Sequence, residues 1–395
     1  MWARATPCST RMTCQTTFPE QPFPSPVPES PDPTEEPALP QPAVLFGGPS
    51  PEHDVSILTG LQAARALGEV HTVYWDKTGA FWEVDPGLEA DAFVEGVPRK
   101  SGQLRLVAGE GLVGKRRPLD VSAVLNCCHG GPGEDGTIQA ALDLAGLAYT
   151  GPNVAGAALG MDKLAFANVV TAARLPSLPR VTFGPDRPPP FPGPYIVKPR
   201  FGGSSIGIDV VADAGVAVAR LQANPHLRAG AVVEPYREDA VDLNVAVRSW
   251  PALEQSAIEK PLRRQGGGGE ILGYGDKYLG GEGMVNAPRE LPAELTAATE
   301  ARVRELTTAV AGLAGLRGLA RIDFLLTGGE VFVNEMNTIP GSLAKYLWVA
   351  PAIAFRQLLH HLLEEASRRP TTHWTTAGAD GTALRSASSI ASKLG

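Results

Sequence analysis

From Ala43 onward the chain repeats one unit, a short apolar strand, a glycine-rich break and an amphipathic helix, and few architectures accept that order. Ala43-Val44-Leu45-Phe46 reads as a strand, Gly47-Gly48-Pro49-Ser50 breaks it, and Leu58, Leu61, Ala64 and Leu67 recur at helical spacing. Strands at 70–74 and 121–126, with a helix from about Thr137 to Ala145, continue the alternation. A helix between two strands carries the chain back across the sheet, so the next strand starts in the same direction. Residues 43–152 are therefore expected to form an N-terminal, mostly parallel α/β domain.

The pattern then changes. Helical stretches within Ala155–Ala173 lead through a Pro-rich connector, Pro176–Pro194, to closely spaced strands at Tyr195–Lys198, Ile208–Val211 and Ala231–Glu234. That spacing, with glycines in the turns, is the mark of an antiparallel sheet, and 153–237 is assigned to a central α+β subdomain. A third region, 238–370, holds a strand at Leu243–Ser249, a Gly-rich loop over Gln265–Met284, a helix from about Ala293 to Ala314 and a hairpin over Leu319–Glu335. Ahead of all this, Pro19–Pro42 is dense in Pro, Ser and Glu and cannot bury enough apolar surface to fold, so 1–42 is expected to be a disordered extension. The end, 371–395, reads as a flexible tail.

Composition narrows the partners. With 395 residues and 43% hydrophobic content the chain can bury more than one core. A net charge of −7 offers no basic field to nucleic acid or to anionic headgroups, which favours small-molecule substrates. No apolar run reaches the ~20 residues of a membrane span, and the N-terminus has no signal-peptide core. Cys8, Cys14, Cys127 and Cys128 form no CxxC pair, which suits a reducing cytoplasm. Cys127 and Cys128 close an apolar strand and read as buried structural thiols.

Two segments carry the chemistry. Arg321-Ile322-Asp323-Phe324 and Val331-Phe332-Val333-Asn334-Glu335-Met336-Asn337 flank Gly328-Gly329, so alternation puts Arg321 with Asp323, and Glu335 with Asn337, on one face each. A turn at Gly329 sets Asp323 across from Glu335. Two carboxylates and a carboxamide are the oxygen donors that Mg²⁺ prefers beside nucleotide phosphates. In Lys198-Pro199-Arg200-Phe201-Gly202-Gly203-Ser204-Ser205-Ile206-Gly207 a strand ends in a lysine, and small residues then expose backbone N–H groups that can close over phosphate oxygens. No Gly-Lys-Ser/Thr opens a helix, so this is not a Walker loop, and Gly47-Gly48 lacks the spacing of a dinucleotide fingerprint.

Seven motifs in order resemble the D-alanine:D-alanine ligase family of the ATP-grasp superfamily. They are Phe46–Ser56, His129–Thr137, Tyr149-Thr150-Gly151 with Met161-Asp162-Lys163, the Lys198–Gly207 loop, Asp276-Lys277-Tyr278, Arg321–Asp323 and Glu335–Gly341. The resemblance implies an N-terminal α/β domain followed by two α+β subdomains that sandwich ATP. It implies that Lys163, Lys198 and Lys277 neutralise the nucleotide phosphates, that Ser205 lies in the phosphate loop, that Glu234 begins the adenine hinge, and that Asp323, Glu335 and Asn337 hold two Mg²⁺ or Mn²⁺ ions. Glu52 would bind the first D-alanine's amino group in a hydrogen-bonded set with Ser204 and Tyr278. Arg321 and the Gly341 amide would hold charge on the tetrahedral centre, and His129 would lie near the first carboxylate. A cytoplasmic homodimer making D-Ala-D-Ala for peptidoglycan is the expected setting.

The sequence departs from the family at two places. The ribose-binding glutamate is matched only by Asp242. The hydroxyl-rich run after Pro-Gly, ending in the serine that binds the second substrate's carboxylate, is here Ser342-Leu343-Ala344-Lys345-Tyr346, so Lys345 and Tyr346 become candidates for that contact, or else surface residues opening a helix through Ala350. Two other readings stay open: an ATP-grasp ligase with another amino-acid or hydroxy-acid acceptor, and a non-catalytic nucleotide-binding sensor.

Overall fold

The computed structural model describes residues 40–262, 288–371, 374–387 and 390. The extension up to residue 39, the loop expected over Gln265–Met284, and with it Lys277 and Tyr278, lie outside the described residues.

Strand β1 (Gln41–Gly47) starts two residues earlier than the sequence suggests and pairs in parallel with β2 (His71–Trp75) and β6 (Val121–Asn126). Helix α1 (His53–Leu67) makes the crossover from β1 to β2 and buries Ile57, Leu61, Ala64 and Leu67 in one core with Phe46 and Tyr74, while Leu58, expected on that face, is exposed. The remaining strands, β3 (Phe81–Val84), β4 (Gly102–Val107) and β5 (Gly111–Val113), correct the expectation of a mostly parallel sheet. They extend it antiparallel, in the order β5-β4-β3-β2-β1-β6. The cause is a tight turn after β2, where the Asp76 carboxylate accepts from the amides of Thr78 (2.8 Å) and Ala80 (3.0 Å) and sends the chain straight back. Helices α2 (Gly131–Glu134) and α3 (Thr137–Ala145) follow β6.

Asp162 divides the next helical stretch into α4 (Val154–Met161) and α5 (Lys163–Ala172), its carboxylate capping α5 at the amides of Leu164 and Ala165. A three-stranded antiparallel sheet has β7 (Tyr195–Pro199) between β8 (Asp209–Val211) and β9 (Ala231–Pro235), with α6 (Ala214–Ala223) packed beside it. A five-stranded antiparallel sheet then runs β12-β11-β10-β13-β14, from β10 (Val241–Arg248), β11 (Glu254–Pro261), β12 (Arg289–Glu290), β13 (Leu319–Thr327) and β14 (Glu330–Asn337). One core unites Leu243, Val245, Ile322 and Phe324 of this sheet with Val303, Leu306 and Val310 of α7 (Ala297–Leu313) and Phe166 of α5.

The chain finally returns to its beginning. Leu358, Leu359 and Leu362 of α8 (Phe355–Arg368) enter the core of the first sheet together with Leu343 and Leu347. The helix expected to run through Ala350 does not form. Residues 341–347 make a 3₁₀ segment in which Ser342, Leu343 and Ala344 take left-handed φ of 50°, 49° and 48°. That conformation costs an L residue about 1–2 kcal/mol, and burial of Leu343, Ala344 and Leu347 in the core they share with α1 offsets it.

Candidate active site

The ends of β7, β9, β10, β13 and β14 and the loops after β1 and β6 open onto one cleft, and most of the residues singled out from the sequence line it. Among the described residues these are Glu52, His129, Lys163, Lys198, Ser204, Ser205, Glu234, Asp242, Arg321, Asp323, Glu335, Asn337 and Gly341.

In the β13–β14 hairpin Thr327 pairs with Glu330 across Gly328-Gly329, a register that, continued unbroken, would set Asp323 opposite Asn334; a shift between Asp323 and Phe324 instead sets Asp323 opposite Glu335 and Arg321 opposite Asn337. Arg321 donates from Nε (2.6 Å) and Nη2 (2.7 Å) to the two Asp323 oxygens, and Asn337 Nδ2 donates to Asp323 Oδ2 (3.0 Å), leaving the amide oxygen of Asn337 as an acceptor. The carboxylate of Asp323 drives the Arg321 guanidinium further above its usual range, although burial opposes it. Lys163 Nζ stands 3.7 Å from Glu335 Oε2 and donates to the Gly202 carbonyl. Burial holds its ammonium below the usual lysine range, partly offset by Glu335. Carboxylate and carboxamide oxygens beside an ammonium are a donor set that fits hard divalent cations and phosphate together.

Lys198 reaches the same end from β7. Its Nζ is 3.0 Å from Glu234 Oε1 on β9 and 3.3 Å from Asn334 Oδ1 on β14. Glu234 is 1% exposed, and burial alone would raise its carboxyl. Arg180 and Lys198 outweigh burial and hold it below the usual range. Arg180, in the Pro-rich connector, carried no signal in the sequence.

The other wall comes from the segments that follow β1 and β6. Glu52 begins α1 without capping it, which settles its direction: the side chain accepts from the Ser204 hydroxyl of the glycine-serine loop. It lies so close to Gly203 that a Cβ there would sit 3.1 Å from Glu52 Oε2. His129 is 3% exposed, with Nδ1 2.7 Å from the Ile339 carbonyl and Nε2 2.8 Å from Thr59 Oγ1, so both ring nitrogens already have protein partners. Burial, aided by Arg321, pushes the ring down from its usual range. Glu134 was not singled out from the sequence. It accepts from the amides of Gly130 (3.1 Å) and Ile339 (2.9 Å), stitching the loop after β6 to the exit of β14, and burial next to Glu52 pushes its carboxyl up to about 7.

At the far end the expectations divide. Lys345 is not brought into the cleft: its Nζ bonds Gln62 Oε1 of α1 (2.8 Å) and sits over Phe355. Tyr346 packs behind the cleft wall under the Arg289 guanidinium, 4.4 Å from its ring centroid, near Arg321 and Glu259, and its hydroxyl is buried without a hydrogen-bond partner among the described residues. Arg289 in turn donates to Glu259 (2.8 Å), which accepts from Asn244 (3.0 Å). Cys127 and Cys128 are buried free thiols pushed up by burial, as read from the sequence.

Two family models match, one described as "D-ala D-ala ligase N-terminus" over residues 41–152 and one as "D-ala D-ala ligase C-terminus" over 191–364. A D-alanine--D-alanine ligase of Methylobacterium sp. (strain 4-46) is 33% identical over 83% of this chain and 91% of its own length. One from Mycolicibacterium vanbaalenii is also 33% identical, over 83% and 97%. The solved D-alanine-D-alanine ligase of Coxiella burnetii superposes with a TM-score of 0.70 at 23% identity, covering 84% of this chain and 94% of that one.

Proposed function

The chain belongs to the D-ala D-ala ligase family of carboxylate–amine ligases, with the ATP-grasp fold, and on that footing we propose that it joins two D-alanines through an acyl phosphate, releasing ADP and phosphate. The observation that carries the reading is the meeting, in one cleft, of Glu52 and Ser204 on one wall with Lys163, Asp323, Glu335 and Asn337 on the other.

A carboxylate is a poor acyl donor until its oxygen carries a phosphoryl group, and moving that group is chiefly a matter of alignment and charge neutralisation. Lys163 and Lys198 supply fixed positive charge on the phosphate side. Asp323, Glu335 and Asn337 would hold two divalent ions, whose charge would neutralise the phosphates. Glu52, buried and oriented by Ser204, would take the first D-alanine's ammonium, leaving its carboxylate directed toward the phosphate end. As the second amine attacks, negative charge gathers on the former carboxyl oxygen. Arg321, whose Nη1 hydrogens are not engaged by Asp323, and the Gly341 amide would meet it. Glu234 and Asp242 line the nucleotide end, with Glu234 acting through Lys198. No helix among the described residues is long and apolar enough to cross a membrane. A cytoplasmic homodimer feeding peptidoglycan synthesis fits this reading.

ADP release with D-alanine, L-alanine, D-serine and D-lactate as acceptors, with each product weighed by mass spectrometry, tests it. D-Ala-D-Ala should dominate near neutral pH. A depsipeptide or mixed dipeptide as the main product would replace the acceptor assignment, and nucleotide binding with no ADP release under any pairing would make the protein a sensor.

A further inference from the structure

We infer that Arg180 is a positioning residue for the nucleotide: by sharing the carboxylate of Glu234 with Lys198 it leaves positive charge in excess for phosphate, and it fixes β9, the start of α5 and β14 to one point. The inference rests on the reading that Lys163 and Lys198 face the nucleotide.

Arg180 does not line the cleft; it lies directly behind it, 6% exposed. Each nitrogen of its guanidinium serves a different purpose. Nε donates to Glu234 Oε1 on β9 (2.7 Å), and Nη1 donates to the carbonyl of Lys163, where α5 begins (2.9 Å). Nη2 donates to the carbonyl (3.0 Å) and the side-chain oxygen (3.2 Å) of Asn334 on β14, one residue before Glu335. A planar fork with fixed donor directions can join three elements this way; a lysine cannot.

The charge count gives the geometry its consequence. Behind and along this end of the cleft stand Arg180, Lys163 and Lys198 against Glu234 and Glu335, so the set carries one positive charge in excess. Without Arg180 the excess vanishes, and Glu234, in a medium that strengthens every ion pair, claims Lys198 alone. A phosphate would then have to compete with a buried carboxylate for that ammonium.

The test uses the full chain with Arg180→Met, close in volume but without charge or donors, and Arg180→Lys, which keeps the charge and loses the fork. Magnesium-ADP affinity is measured by calorimetry, and KM for ATP and for D-alanine by steady-state turnover. Arg180→Met should weaken ADP and raise KM for ATP by about tenfold or more while KM for D-alanine stays within about twofold, and Arg180→Lys should fall between it and the wild type. A residue that merely staples the fold would lower Tm and move neither KM, or move both alike, and either result overturns the inference. If Arg180→Met does not fold, Arg180→Lys decides by the same split; if neither folds, Arg180 is a structural staple and the inference falls. Wild-type protein that binds no nucleotide would instead defeat the functional reading itself, whatever Arg180 does.

Discussion

The two ends of the cleft are built on opposite terms. At the phosphate end, the charges that a nucleotide and its metals would meet are already paired: Asp323 with Arg321 two residues before it on β13, Lys198 of β7 with Glu234 of β9, and Lys163 of α5 with Glu335 of β14. At the far end, around 341–347, the polar groups are either satisfied inside the protein, as Lys345 is by Gln62, or buried with no partner, as the Tyr346 hydroxyl is. Pairing before the ligand arrives means that binding exchanges one partner for another within a preset geometry, which suits chemistry that depends on alignment. A buried hydroxyl without a partner among the described residues is a cost of about 1–3 kcal/mol that a ligand or a water can relieve.

The largest effect should come from the paired end. Asp323→Ala or Glu335→Ala should lower ADP formation by about a thousandfold or more with the fold intact, because a side chain that would hold the charge-neutralising cations is lost, and chelation of divalent ions should do the same to the wild type. Turnover within tenfold of wild type in either variant would show that the hairpin is a solvated charge ladder. Next is the wall between the two ends. Glu52→Gln keeps an acceptor for Ser204 but loses the charge that would meet an ammonium, so KM for the first D-alanine should rise by about ten- to a hundredfold with KM for ATP nearly unchanged. Equal rises in both would place Glu52 in support of the glycine-serine loop rather than at the substrate.

Between the ends sits Glu134, and its effect should be on stability. With its carboxyl at about 7 against an ordinary 4.5, the folded chain binds more protons than the unfolded chain between those values. Its stabilising contribution is therefore full below about 4.5 and is lost as pH rises through about 7. In Glu134→Gln this part of the pH dependence should disappear, so the Tm difference between wild type and variant should change across pH 4.5 to 7 and flatten above it. Parallel Tm curves across that window would mean that Glu134 titrates normally, with Glu52 beside it carrying no influence.

The same contrast explains what could be read in advance. The hairpin was legible because a tight turn and period-two alternation mark its two strands, but the pairing of Asp323 with Glu335 was right only through a register shift between Asp323 and Phe324 that spacing does not show. The three-stranded antiparallel sheet was suggested by closely spaced strands for the same reason, whereas of the five-stranded sheet only β10 and the β13–β14 hairpin were read and β11 and β12 were missed. Arg180 was not legible: it stands in a proline-rich connector without period, and its three partners come from positions 163, 234 and 334, distant in sequence. The antiparallel strands β3 to β5 were missed because their direction is set by the Asp76 turn rather than by a helix. Residues 341–347 looked like a helix start, but local preference yields there to the burial of Leu343 and Leu347, and that rotation takes Lys345 away from the cleft.

The smallest effect is the sharpest test of the unpaired end, because one substitution should move two observables in opposite senses. Tyr346→Phe deletes a buried hydroxyl that has no partner and leaves the ring under Arg289, so the free protein should gain about 1–3 °C in Tm. If the hydroxyl serves the acceptor, its partner arrives with the second D-alanine, whose carboxylate must be held while the amine attacks. The acceptor KM should then rise several-fold while KM for ATP stays constant. Lys345→Ala is the companion measurement: since Lys345 bonds Gln62 and covers Phe355, it should lower Tm slightly and leave the acceptor KM alone. A Tm gain in Tyr346→Phe with an unchanged acceptor KM would make the hydroxyl a tolerated defect and turn the search for the acceptor's carboxylate partner to Ser342 and Arg289. A rise in acceptor KM in Lys345→Ala, against the bond to Gln62, would instead require 341–347 to rearrange when substrate binds.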